Sequence, residues 1–215
     1  MISSTIAVKS TILAAAVAAA LTVAGCTDIA SNTSTSAPMP GMDHGGSAAP
    51  AAPSAARTDF DDADVMFLQM MYPHHAQAVD MAKLVQGRSQ NQQVIALAQN
   101  IESAQGPEMT QMTGLLTSFG KPAPSASMSG HDMPGMGGMP GMMSATQMDD
   151  LKGLSGTVFD QMWLQMMIDH HGGAIDMSNT ELRDGTNSDA KEMAKAIIAN
   201  QQAEITQMRS MLGQG

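Results

Sequence analysis

Apolar residues recur at three- and four-residue spacing in two long pairs of segments, separated by a polar stretch rich in glycine and proline. Val94, Leu97, Ala98, Ile101, Met109, Met112 and Leu116 follow the period of an amphipathic helix. This predicts a helix over 89–119, with Ser89 as N-cap, Gln92 in the capping-box position and Gly120-Lys121-Pro122 as the stop. Residues 60–86 also read as helical, with Thr58 or Asp59 as cap and Asp61, Asp62 and Asp64 suited to a helix N-terminus. A short helix over 146–154 and long ones over 156–182 and 188–212 follow, with a turn at 183–187. Pro73 and Gly106-Pro107 predict kinks in otherwise continuous helices. No sustained alternation of period two occurs and aromatic residues are few, so strands have no support.

The helices come as a duplication. Residues 68–81 read Leu-Gln-Met-Met-Tyr-Pro-His-His-Ala-Gln-Ala-Val-Asp-Met, and residues 164–177 read Leu-Gln-Met-Met-Ile-Asp-His-His-Gly-Gly-Ala-Ile-Asp-Met. A shift of 96 carries one onto the other without a gap as far as Leu116, and it also maps Ile101, Gln105, Glu108, Gln111 and Met112 onto Ile197, Gln201, Glu204, Gln207 and Met208. Two such helix-turn-helix units close into an all-α four-helix bundle, each covering the apolar face the other exposes. The expected organisation is a signal segment at 1–25, a tether at 26–57, a first hairpin at 58–120, a Met-rich linker at 121–145 and a second hairpin at 146–215.

Within the duplicated stretch, Met66, Met70, His74, Gln77 and Met81 fall within about 60° of one another on a helical wheel. Met162, Met166, His170, Gly173 and Met177 do the same in the second copy. Met71 and His75, with Met167 and His171, lie on the adjacent stripe. Methionine at helical spacing usually fills a core, and that is the expectation for Met66, Met112, Met162 and Met208. Two equivalent His-His pairs are harder to assign to packing, because every buried imidazole needs partners. Imidazole with thioether is a soft to borderline donor set that favours Cu(I) or Ag(I) over hard cations. The candidate metal ligands are Met70, Met71, His74, His75, Met81, Met166, Met167, His170, His171 and Met177. Zinc held by His-His with Asp80 or Asp176 is the fallback, although it leaves the methionines unexplained.

The linker repeats the chemistry in another form. From His131 to Met143 a methionine stands about every third residue in a Gly/Pro chain, including Met133 and Met136. Such a chain is not expected to bury a core, so its thioethers read as soft-metal donors, with His131 among them and Met39-Pro40-Gly41-Met42-Asp43-His44 as an upstream counterpart ending in His44.

Two other readings compete. One is a structural or interaction module whose His-Met stripe is core packing. The other is a ferritin-like metal oxidase. The second is short of hard ligands: a di-iron carboxylate bundle uses Glu-x-x-His, and here Met71 and Met167 occupy the Glu position. Glu108 and Glu204 could face the histidine helices, but two carboxylates do not replace the missing set. No Gly-x-Ser-x-Gly elbow is present. The expectation is a protein that is not an enzyme.

The formal net charge is −10, with no run of Lys or Arg, which argues against nucleic acid as a partner. Lys9 followed by the apolar run 11–23 reads as a secretory signal rather than a membrane span. Cys26 is the single cysteine, so neither an internal disulfide nor a cysteine zinc site can form. The preceding Leu21-Thr22-Val23-Ala24-Gly25 resembles the lipobox of bacterial lipoproteins. That resemblance implies cleavage before Cys26 and a lipid on its sulfur, hence an exported protein held at the outer face of a membrane. A protein that exchanges metal with it is not identified by the sequence.

The doubled Met-x-x-His-His followed by Ala-Val/Ile-Asp-Met resembles the signature of the domain-of-unknown-function family numbered 305, over about residues 60–212 without the central linker. The resemblance implies a ferritin-like helical bundle of exported proteins, with members that bind copper through Met and His. Position by position it falls on Met70, Met71, His74, His75 and Met81, and on Met166, Met167, His170, His171 and Met177.

Overall fold

The computed structural model describes residues 57–124 and 139–214. Every regular element among them is a helix: α1 (Asp62–Leu84), α2 (Gln92–Ser118), α3 (Ala145–Lys152), α4 (Gly156–Asp184) and α5 (Ser188–Met211). None of the described helices is long and apolar enough to cross a membrane.

α4 and α5 start where the sequence places them, while the starts of α1 and α2 differ from the expectation by two or three residues, for local reasons. Asp61 caps α1, accepting the amides of Ala63 and Asp64, while the Asp64 carboxylate accepts the Asp61 amide in return. Asp59 is engaged instead by Arg57. Asn91 caps α2, and the Ser89 hydroxyl accepts the Asn91 amide at 3.1 Å, organising the approach to the cap rather than forming it. Both helices run unbroken through their prolines, Pro73 in α1 and Pro107 in α2.

α1 pairs with α2 and α4 with α5 as hairpins, and the hairpins meet mainly through α1 against α4, with α3 lying on α4. The core divides into two apolar clusters. The first joins the C-terminal half of α1 (Ala78, Met81, Ala82) to the N-terminal half of α4 (Phe159, Trp163, Met167). The second joins the N-terminal half of α1 (Val65, Leu68, Met71) to the C-terminal half of α4 (Ala174, Met177). α1 and α4 are therefore antiparallel, and the 96-residue repeat becomes an approximate twofold that exchanges the two clusters. Trp163, fully buried, donates its indole N–H to the Met81 carbonyl at 2.9 Å and locks α4 to α1.

A polar junction closes one end. The Asp64 carboxylate, fully buried, accepts the Asn187 amide at 2.9 Å and the amide and hydroxyl of Thr186, each at 3.1 Å. Burial would raise this carboxyl, but the Asp61 amide, Glu181, the Asn187 amide and the Thr186 hydroxyl bring it below the usual value. Its buried neighbour Glu181 is pushed up to about 8, by burial first and by Asp64 second. Glu181 therefore holds a proton at neutral pH.

Two expectations about methionine fail. Met66 is 54% exposed and Met162 is also exposed, whereas Met112 and Met208 are fully buried as core residues. The buried face of α1 runs through Leu68, Met71, His75, Ala78 and Ala82, and Met66 stands about 140° from Met71 around the helix. The second failure is in the linker: Met139 and Met143 are buried. A Gly/Pro chain with no helical period still buries side chains when it lies across a helix pair.

Candidate metal centre

The four paired histidines occupy the gap between the two apolar clusters. On α1 one cluster ends at Met71 and the other begins at Ala78; on α4 the corresponding limits are Ile168 and Ala174. His74, His75, His170 and His171 fill this middle layer and are all buried. The helical repeat explains their placement, since adjacent residues straddle the centre of the buried face. One imidazole of each pair turns toward the other hairpin and one toward its own.

His74 and His170 meet across the approximate twofold with ring centroids 3.8 Å apart and planes inclined by 38°. His75 donates Nε2–H to Glu108 Oε2 at 2.7 Å, and His171 donates Nε2–H to Glu204 Oε2 at 2.6 Å. These are the same contact in the two halves, made inside each hairpin. His74 faces the Pro140 carbonyl through Nε2 at 3.0 Å. A carbonyl and a carboxylate only accept, so all three Nε2 atoms carry a proton, which leaves Nδ1 of each as the ring nitrogen free of the contact.

Those nitrogens have no partner. Nδ1 of His74, His75 and His171, both ring nitrogens of His170, and Oε1 of Gln105 and Gln201 are buried without a hydrogen bond. An orphaned buried polar atom costs about 1–3 kcal/mol, and the layer contains a set of them that are chiefly acceptors. A cation satisfies lone pairs that no protein donor reaches. His74 and His170 are also kept in the ligating form. Burial, then the nearby His75, depresses His74 to about 3. Burial, then His74 and His171, holds His170 well below the ordinary imidazole value. Neutral imidazole is the metal-binding state.

The structure places the predicted sulfur donors in the two apolar clusters that flank this layer: Met81, Met166 and Met167 in one, Met71 and Met177 in the other, with Met70 packed against the second. Met71 and Met167, one turn before His75 and His171, are fully buried, as is Met81; Met166 and Met177 are buried, and Met70 is half-buried. Asp80 and Asp176 are exposed, so the carboxylates of the zinc fallback stand outside the buried layer. Among the described residues no three His, Cys, Asp or Glu side chains converge as a metal-holding group. A metal in this layer would need donors beyond those side chains, and thioethers are the type that suits Cu(I) and Ag(I). Cys26, His44, His131, Met133 and Met136 lie outside the described residues.

Three features escaped sequence reasoning. Glu108 and Glu204, expected only to face the histidine helices, accept hydrogen bonds from His75 and His171. Their equal 33-residue spacing from those histidines was available as a signal. Gln105 and Gln201 are buried polar positions inside apolar helical stripes. The Pro140 carbonyl had no signal, because a backbone oxygen leaves none.

The signature of the family described as a domain of unknown function (DUF305) matches residues 64–212. Among solved structures, the chain is similar to a DUF305 protein from Streptomyces coelicolor, named as a secreted protein, at 32% identity and a TM-score of 0.63, covering 70% of this chain and 92% of that one. A DUF305 fragment from Deinococcus radiodurans gives 32% identity and a TM-score of 0.63, over 72% of this chain and 98% of that one. CopM in its Cu(II)-bound form gives 30% identity and a TM-score of 0.58, over 69% and 94%. CopM is also known in Cu(I)-bound and Ag-bound forms. No curated protein matches the sequence.

Proposed function

The chain belongs to the DUF305 family, and from that premise we propose that it is an exported, lipid-anchored copper-binding protein. It sequesters, buffers or relays Cu(I), accepts Ag(I) at the same positions, and is not an enzyme. The observation that carries this reading is the layer of four buried imidazoles whose Nδ1 atoms have no hydrogen-bond partner, lying between two methionine-containing apolar clusters. The copper- and silver-bound forms of CopM, a relative at about the same identity as the others, support the choice of ion. In this reading His74, His75, His170 and His171 bind through Nδ1, and Met71, Met167 and the neighbouring Met70, Met81, Met166 and Met177 supply sulfur. The linker donors His131, Met133 and Met136, with His44 upstream, capture ions at lower affinity. The lipid on Cys26 keeps the protein at the membrane.

Competition titration of the protein against a Cu(I) chelator tests the centre directly. Replacing all four paired histidines by glutamine should abolish uptake by the bundle. Unchanged uptake would leave the histidine layer without a role in copper binding. Addition of Cu(I) should also raise the melting temperature, because a ligand held only by the folded state stabilises it by mass action. Turnover of Cu(I) or Fe(II) with oxygen would replace the binding reading with an oxidase.

A further inference from the structure

The approximate twofold is broken where residues 139–143 lie across the bundle. Residues 139–143 cross α4 at Gly173 and reach α1 at Gln77, and these two positions correspond to each other under the shift of 96. The crossing is backbone on backbone: a Cβ added at Gly173 would overlap the Pro140 carbonyl and stand 2.7 Å from the Gly141 amide nitrogen. Gly141 is as constrained, with φ of +76° and the space for a Cβ taken by the carbonyls of Asp169 at 2.6 Å and His170 at 2.8 Å. On the other side the Gln77 side chain holds the strand twice, donating to the Met143 carbonyl at 2.9 Å and accepting the Met143 amide at 2.7 Å. Between these anchors the Pro140 carbonyl accepts His74 Nε2–H at 3.0 Å.

We propose that residues 139–143 are a strap belonging to the histidine site, seated in a cradle made by Gly173 and Gln77, that fixes His74 as its Nε2–H tautomer and leaves Nδ1 as its metal-binding nitrogen. Only one such strap fits. Turned through the twofold, it would meet the Cβ of Gln77 where it needs glycine, and a bare Gly173 where it needs an amide side chain. His170, the counterpart of His74, accordingly has no partner on either ring nitrogen. The two halves are chemically unequal, with His74 pre-oriented for a ligand and His170 not. Gln77, Pro140 and Gly173 are positioning residues in this account, and its metal-binding consequence rests on the copper reading.

The neighbouring glycine provides the control. A Cβ at Gly172 meets nothing within 4 Å, so Gly172→Ala adds the same methyl to the same helix without touching the strap. In the metal-free protein, nitrogen-15 spectra of the imidazoles should show His74 protonated at Nε2 in the parent and in Gly172→Ala. Gly173→Ala should give mixed tautomers, with the Met143 amide losing at least about tenfold in exchange protection. Gln77→Ala, at a half-buried position that tolerates truncation, should do the same if Gly173→Ala folds poorly. Cu(I) affinity in both should fall by about tenfold, the lower end of what loss of a ligand-orienting partner produces. An unchanged His74 tautomer in Gln77→Ala and in folded Gly173→Ala overturns the proposal whether or not copper binds. A Cu(I) affinity within twofold of the parent overturns the link to the metal. Absence of uptake by the parent overturns the copper reading instead, and the tautomer then decides the strap alone.

Discussion

In the metal-free protein, stability should peak near pH 6.5 and fall on both sides. The acid limb comes from His74 and His170. His74 is held at about 3 and His170 is depressed, against 6.5 for an unperturbed imidazole. Below pH 6.5 the unfolded chain binds two protons that the folded chain refuses, so stability falls as pH falls. Each such proton gives a slope of about 1.4 kcal/mol per pH unit. Glu181 works in the opposite sense, because its carboxyl is raised from 4.5 to about 8. Its contribution is complete below pH 4.5 and is lost as pH rises toward 8. Between pH 6.5 and 5 two histidines oppose one carboxyl, for a net loss of about 1.5 kcal/mol; between pH 6.5 and 8 the loss of the Glu181 contribution outweighs what the histidines regain, for a net loss of about 1 kcal/mol. For a chain of this size, 2 kcal/mol is about 4–8 °C in melting temperature. Urea or thermal unfolding under chelator, at half-unit steps from pH 5 to 8, reads the curve. Glu181→Gln, whose amide can donate to Asp64, should remove the alkaline limb and steepen the acid one, because nothing then opposes the two histidines. Stability that does not change between pH 5 and 6.5 would refute the argument that burial keeps the histidines neutral, and a steady rise to pH 8 would refute a protonated Glu181.

Glu108→Leu and Glu204→Leu remove the acceptors of His75 and His171 and should each lower Cu(I) affinity by about 10–100-fold in a chelator competition; equal affinities would make those contacts irrelevant to the metal. Trp163→Phe loses the bond to the Met81 carbonyl and leaves that carbonyl buried without a donor, at about 2–3 kcal/mol by urea unfolding. Met66→Gln and Met162→Gln should change stability by less than about 0.5 kcal/mol, while Met112→Ala costs about 2–5 kcal/mol. Cys26→Ala should release the exported protein from the membrane fraction, and retention there would remove the lipid anchor from the account.

The two halves of the centre were legible to different depths. The His-His pairs stand out because the duplication presents them twice, and the helical period puts them on a face that must be covered. Which face is covered was another matter. Met66 and Met71 are both methionines on α1, five residues apart, yet Met66 faces solvent and Met71 is sealed in the core. Their local sequences carry no sign of this, since the line of contact is chosen by how α1 lies on α4. The same holds for Asp80 and Asp176, plausible ligands by spacing and exposed in the fold.

Helix type, the number of long helices and their duplication are properties of local sequence, because hydrophobic period, caps and stop signals act within a few residues. The all-α class and the family signature follow from these alone. The tertiary structure decided the rest: the antiparallel meeting of α1 and α4, the isolation of four imidazoles between two apolar clusters, and the seating of residues 139–143 over His74. Each depends on atoms brought together across 33 to 96 residues of chain, and the last depends on a carbonyl oxygen and a missing Cβ. Backbone groups are common to nearly all residues, so the contact that distinguishes His74 from His170 appears only once the chain is folded.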